Sequence, residues 1–301
     1  MIKPNFFIVG MARAGTTSLW HYLRKHPDVF MSPFKEPNYF NKDIDFFDPT
    51  IDVEKELQKW AIHRANLKKE QRYRDIDNYL SLFKNANKKK VRGECSVSYL
   101  TSKTACEEIH RFNKNAKILV SLRNPIEAFF SQYHLYKNWG LYPGTFGDYM
   151  QLETLIDAYK SIPMNIVNYQ NLFNHQNVQI ILFEDFKHNT KVIYQQILDF
   201  LDVDRNILPD FHPHNSSRNI KMYNTVHILF DNRFLRMFRE LFSHNELGIS
   251  KRINHLLGGF DQHPSLNDKF RNQLTNKFET CIQQLQDITE RDLSHWCNIY
   301  K

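Results

Sequence analysis

The chain has 301 residues, 42% of them hydrophobic, with a formal net charge of +7 and four cysteines. That length and apolar content suffice for a sizeable buried core and exclude both a disulfide-dense miniature scaffold and a disordered polyelectrolyte. The basic balance suits a polyanionic partner, but no zinc-finger spacing, RNA-recognition signature or repeat accompanies it, so no nucleic acid is expected to bind.

Met1-Ile2-Lys3-Pro4 leads straight into the apolar run Phe6 to Val9, which leaves no room for an export leader. No apolar run approaches the ~20 residues that span a bilayer, so no membrane span and a cytoplasmic location are expected. The run itself reads as a buried strand. Gly10 and Gly15 then bracket a turn, and Thr16, Thr17 and Ser18 open a helix on which Leu19, Trp20 and Leu23 recur at helical spacing. A strand that feeds a helix through such a loop aims backbone N–H groups and the positive end of a helix dipole at one point, which suits phosphate or sulfate. The glycines keep the spacing of the nucleotide-binding loop G-x-x-x-x-G-K-[ST], yet the lysine position holds Thr16, and the nearby cation is Arg13 inside the loop.

The segment KEPNYF, 35 to 40, follows a second short strand expected near 28–31. Residues 54 to 90 then mix Leu57, Trp60, Ile76, Tyr79, Leu80 and Phe83 with many charges, a pattern of two amphipathic helices with a basic solvated face. Strands are expected at 91–94, before SVSYLTS, and at 117–122, where KILVSL ends in Arg123-Asn124-Pro125 and a helix begins. An arginine at the C-terminal end of a strand in an open α/β sheet suits a second anion, and Ser131, two turns on, adds a hydroxyl. A Gly/Pro loop at 140 to 149 reads as a cleft rim or lid. It precedes helical segments at 148–173, a strand at 178–183, a helix up to about 204 and a last helical stretch at 267–297. The cysteines at 95, 106, 281 and 297 have no metal-ligand spacing, so they are expected to be reduced and no metal site is expected.

Taken together, the two anion motifs resemble those of sulfotransferases that use 3′-phosphoadenosine 5′-phosphosulfate (PAPS). The loop Arg13, Ala14, Gly15, Thr16, Thr17, Ser18 is similar to their 5′-phosphosulfate loop. Their 3′-phosphate motif R-[ND]-P-x(5)-S-x-Y runs here as Arg123, Asn124, Pro125, Ser131, Tyr133. KEPNYF resembles the loop whose glutamate is the general base in heparan sulfate and related carbohydrate enzymes, which assigns that role to Glu36. GECSVSYLTS, 93 to 102, resembles a segment lining the acceptor cleft, with Cys95 where the family has a lysine. HNSSRN, 214 to 219, resembles a loop closing over the cofactor phosphates through Ser216, Ser217 and Arg218.

The resemblance implies a single P-loop-type α/β domain over 1–301 with a central, mostly parallel sheet flanked by helices. Its core would run over about 5–220, with a helical insertion at 51–90 and a helical C-terminal region at 221–301. It implies transfer of the sulfuryl group of PAPS to a hydroxyl or amine of a small molecule or carbohydrate, with release of adenosine 3′,5′-bisphosphate and no metal. Arg13 would assist the departing oxygen. His21 and His134 are the rival bases, since histidine serves in another branch of the superfamily. A small-molecule kinase using ATP and magnesium is the alternative, supported by Glu184 and Asp185 at the end of an apolar strand. The oligomeric state stays open.

Overall fold

Five short strands form one sheet, and they fall within a residue or two of the expected positions. The computed structural model describes residues 2–43, 73–138, 142, 144–212 and 265–297. The strands are β1 (Phe6–Gly10), β2 (Val29–Met31), β3 (Val91–Cys95), β4 (Lys117–Leu122) and β5 (Val178–Leu182), in the order β2-β3-β1-β4-β5. All four pairings are parallel, with Phe7 opposite both Glu94 and Ile118. Parallel strands need crossovers that cover both faces, which is why β1 and β4 read as continuous apolar runs rather than alternating ones.

Side-chain alternation divides the core into two layers. Phe7, Val9, Ile118, Val120 and Leu122 join one cluster, while Phe6, Ile8 and Leu119 join the other; all eight are fully buried. The first layer is covered by α3 (Ala105–Phe112), α4 (Pro125–Asn138), α6 (Glu153–Lys160), α7 (Ile162–Phe173) and the long α10 (Asp268–Thr289). The second lies under α1 (Thr16–Leu23), α8 (Phe183–His188) and α9 (Thr190–Phe200), through Leu19, Leu23, Phe186, Tyr194, Ile197 and Leu198.

Two expectations change. The stretch 148–173 is three helices, because Thr145 and Asp148 form a capping box that starts the short α5 (Phe146–Tyr149), and Pro163 sits in the first turn of α7, where it cannot be a helix interior. The last four residues of the 140–149 loop are therefore helical. Of the helical insertion, α2 (Ile76–Ser81) is present, capped by the Asp75 side chain, which accepts from the Asp77 and Asn78 amides. Residues 51–72 of that insertion lie outside the described residues.

Candidate active site at the carboxyl ends of the strands

β1 is central; the chain leaves it for β2 and β3 on one side and places β4 and β5 on the other. The crevice at the carboxyl ends of β3, β1 and β4 is thus a topological switch point, where open α/β sheets place ligands. The loop after β1 is built to approach its neighbours closely. A Cβ at Gly10 would lie 2.5 Å from the Ser121 carbonyl oxygen, and one at Gly15 2.9 Å from the Phe183 ring. Gly15 also has φ 78, a left-handed conformation that caps α1 without a side chain. Ser121 holds the loop from β4, with its Oγ donating to the Ala14 carbonyl at 2.6 Å and its own carbonyl accepting from the Met11 amide at 2.9 Å. Ala14 and Thr16 are buried, and Thr17 and Ser18 are half-buried at the start of α1.

The two anion motifs form one hydrogen-bonded cluster. Arg13 Nε donates to Ser131 Oγ at 3.0 Å, and Arg123 Nη1 donates to the Arg13 carbonyl at 3.0 Å. Arg13, at φ 64, holds the left-handed conformation at a cost of order 1–3 kcal/mol, a strain that typically marks a functional site. Burial, and then the like charge of Arg123, press the Arg13 guanidinium below the ordinary arginine value. Burial does the same to Arg123 against the opposing pull of Glu127 and Glu184. Both side chains remain cationic, since arginine does not deprotonate in proteins, so two adjacent cations in a half-desolvated crevice are relieved by an anion.

Asn124 fixes the second motif. Its Oδ1 accepts from the Ile126 amide at 2.9 Å, its Nδ2 donates to the Trp296 carbonyl at 3.1 Å, and its amide donates to Glu184 Oε1 at 3.2 Å. Pro125 begins α4 at a position where the absent N–H costs nothing. Arg271 of α10 pairs with Glu127 at 2.6 Å, one turn into α4. Tyr133, the last residue of the motif, is buried and donates to the Gly144 carbonyl at 3.3 Å, a packing role.

Glu36 stands on the β3 side of the crevice. Its amide donates to the Cys95 carbonyl at 2.8 Å, and the Cys95 thiol in turn reaches the Thr16 carbonyl at 3.9 Å, which joins this loop to the start of α1. The Glu36 side chain is 35% exposed and paired with Lys35, which is 18% exposed. Lys35 is a partner that sequence reasoning missed, although it is the preceding residue. Glu36 and Asn38 have φ of 60 and 54, again left-handed non-glycine positions. Cys95 is fully buried and its thiol is pushed up to about 12 by burial, so it is neutral and supplies no charge. Lys35 and Glu36 both lie within electrostatic reach of that thiol.

The rival residues are engaged elsewhere. His21 packs edge-on to Trp20, and His134 packs edge-on to Phe130 and Tyr133. Glu184 accepts from the Asn124 amide, and Asp185 pairs with Arg291 at 3.0 Å, so the two acids that supported a kinase serve the fold. Among the described residues no group of three or more His, Cys, Asp and Glu could hold a metal ion, and no helix is long and apolar enough to cross a membrane. Ser216, Ser217 and Arg218 lie outside the described residues.

The family model of the sulfotransferase domain matches residues 3–290. The chain is 29% identical over 136 residues to the membrane-associated sulfotransferase kil1 of Dictyostelium discoideum, covering 45% of this chain and 24% of that protein. It is 23% identical over 264 residues to human carbohydrate sulfotransferase 15, covering 66% of this chain and 44% of the relative. The chain therefore spans about a quarter to under half the length of these curated relatives. A sulfotransferase structure from Alicyclobacillus acidocaldarius superposes with a TM-score of 0.69 at 24% identity, over 99% of this chain and 100% of that one, which shows a shared fold.

Proposed function

The chain belongs to the sulfotransferase domain family, and from that premise we propose that it transfers the sulfuryl group of PAPS to a hydroxyl or amine of a polar acceptor and releases adenosine 3′,5′-bisphosphate. The observation that carries this reading is the joined cluster of Arg13, Ser131 and Arg123, two cations linked within one crevice. The amides from Ala14 to Ser18 and the Arg13 side chain receive the 5′-phosphosulfate; Arg123 and Ser131 receive the 3′-phosphate. Charge-assisted contacts of this kind are about twice as strong as neutral ones.

In the reaction an acceptor oxygen or nitrogen forms a bond to sulfur as the bond from sulfur to the bridging phosphate oxygen breaks. This chain's residues have three tasks. Arg13 and the loop amides meet charge growing on the departing oxygen, Glu36 takes the acceptor proton, and the strained loops hold both in place before the acceptor arrives. Lys35, seated on Glu36 beside the neutral Cys95, supplies the positive charge that Cys95 cannot.

A sugar or a hydroxylated or amine-bearing metabolite is the proposed acceptor, the sugar in keeping with the name of the human relative. A cytoplasmic setting is supported by the four cysteines, all of them thiols. The kinase reading is disfavoured, since Thr16 stands at the lysine position and Glu184 and Asp185 are committed to other partners. A thermal-shift comparison tests the proposal. Adenosine 3′,5′-bisphosphate should raise the melting temperature by more than ATP with magnesium does, and an equal or larger shift with ATP and magnesium would overturn it.

A further inference from the structure

Glu94, on β3, carries a second carboxylate beside the Glu36 loop, fully buried on the sheet face of Phe7. Among the described residues its hydrogen-bond partners are three hydroxyls and no cation. Tyr79 donates to Oε1 at 2.6 Å, Tyr99 donates to the same oxygen at 3.1 Å, and Ser96 donates to Oε2 at 2.9 Å. A buried carboxyl without a cation is costly, and a packed apolar residue would fill the same space at less expense.

The hydroxyls face two ways. Ser96 Oγ accepts from the Asn38 amide at 3.4 Å, the Tyr99 hydroxyl accepts from the Phe40 amide at 3.3 Å, and the Tyr79 ring stacks on Tyr39 with centroids 4.6 Å apart. Three successive residues of the Glu36 loop, 38 to 40, are therefore held by the groups that converge on Glu94. The left-handed conformations of Glu36 and Asn38 need such over-determination to persist.

We propose that Glu94 is a positioning residue: its ionised carboxylate orients the hydroxyls of Tyr79, Tyr99 and Ser96 so that they hold the Glu36 loop in place, and its protonation loosens that loop. An ionised carboxylate only accepts, so all three hydroxyl hydrogens point inward and their oxygens stay open to the loop amides. Protonation puts a hydrogen on one carboxyl oxygen, so a hydroxyl facing that oxygen turns its own hydrogen away and gives one of its two lone pairs to the carboxyl, which weakens its hold on the loop. The titratable groups facing Glu94 are Tyr79 from α2, Tyr99 from the turn after β3 and Tyr169 from α7, with Cys95 next to it and Tyr39 beyond Tyr79. Burial raises the phenols of Tyr79, Tyr99 and Tyr169 above their ordinary range and holds the Cys95 thiol at about 12. Burial raises Glu94 to about 7, against the three hydroxyl hydrogen bonds. Within this hub, Glu94 changes charge between pH 6 and 8.

This inference takes its meaning from the reading of Glu36 as base, but its measurement does not depend on it. Amide hydrogen exchange of the segment 34–43 is followed at pH 6 and pH 8 in the full chain, corrected for intrinsic exchange. Protection should be greater at pH 8 by about tenfold, tracking the ionised fraction of a group near 7. Glu94→Gln should show low protection that is equal at both pH values, and Ser96→Ala should lose protection at Asn38 while keeping the pH dependence at Phe40. Wild-type protection that does not change between pH 6 and 8 would overturn the role, as would a Glu94→Gln protein indistinguishable from wild type. If Glu36→Gln turned over PAPS normally with a panel of monosaccharide acceptors, the base assignment would fall while the exchange result stood.

Discussion

Glu36 and Glu94 lie on one short stretch of fold and do opposite things. Glu36 is partly exposed, paired with Lys35 and strained, as a group that meets substrate would be. Removing a general base costs about 10²- to 10⁴-fold in rate, so Glu36→Gln should lose turnover on that scale with adenosine 3′,5′-bisphosphate affinity unchanged, as steady-state kinetics and calorimetry would show. Near-normal turnover would return His134 and His21 to consideration. Glu94 makes a stability prediction. Its carboxyl titrates at about 7 in the fold against an ordinary 4.5, so the folded state binds the proton more tightly than the unfolded chain. That preference is fully present below pH 4.5 and is lost as pH rises through 7, with a total of about 3 kcal/mol at 1.36 kcal/mol per unit. Glu94→Gln should remove this part of the pH dependence, measurable by denaturant unfolding at pH 5 and pH 8. Sequence reading found Glu36 because a resemblance singled it out. It passed over Glu94 because burial leaves no periodic trace, and it gave Lys35 no role although it stands next to Glu36 in KEPNYF.

At the scale of elements, the site depends on pieces remote in sequence. The last helix and turn, expected only as a helical stretch at 267–297, brace the second anion motif. Trp296 accepts from Asn124, and Arg271 of α10 holds Glu127. Asn124→Ala removes a helix cap and leaves the buried Trp296 carbonyl without its donor, so it should destabilise the protein by about 2 kcal/mol, read from the denaturant midpoint. It should also weaken cofactor binding, because Arg123 is the preceding residue. β1 and β4 were legible because buried parallel strands are continuous apolar runs, closed here by Gly10 and by Arg123-Asn124-Pro125. The breaks within 148–173 were not, since a capping box and a proline in a first turn divide a helical pattern without changing its apolar spacing. The brace was equally invisible: nothing in the spacing of α10 points to Asn124.

For the whole molecule, one sheet with a layer on each face predicts one cooperative unfolding transition by both fluorescence and circular dichroism, as expected of a single domain. Two separated transitions would divide the chain into independent cores. The net charge of +7 favours polyanions at long range, whereas in the proposed site specificity rests on Arg13 and Arg123. The central claim is that Arg123 and Ser131 read a 3′-phosphate while the Arg13 loop reads the 5′ end. Calorimetry on wild type and Arg123→Ala, with adenosine 3′,5′-bisphosphate and with adenosine 5′-phosphosulfate, tests it most directly. A lost charge-assisted contact is worth about 1.5–3 kcal/mol, so Arg123→Ala should weaken the bisphosphate by roughly tenfold or more and leave adenosine 5′-phosphosulfate nearly unchanged. Equal wild-type affinity for the two ligands, or an Arg123→Ala protein that weakens both alike, would contradict it.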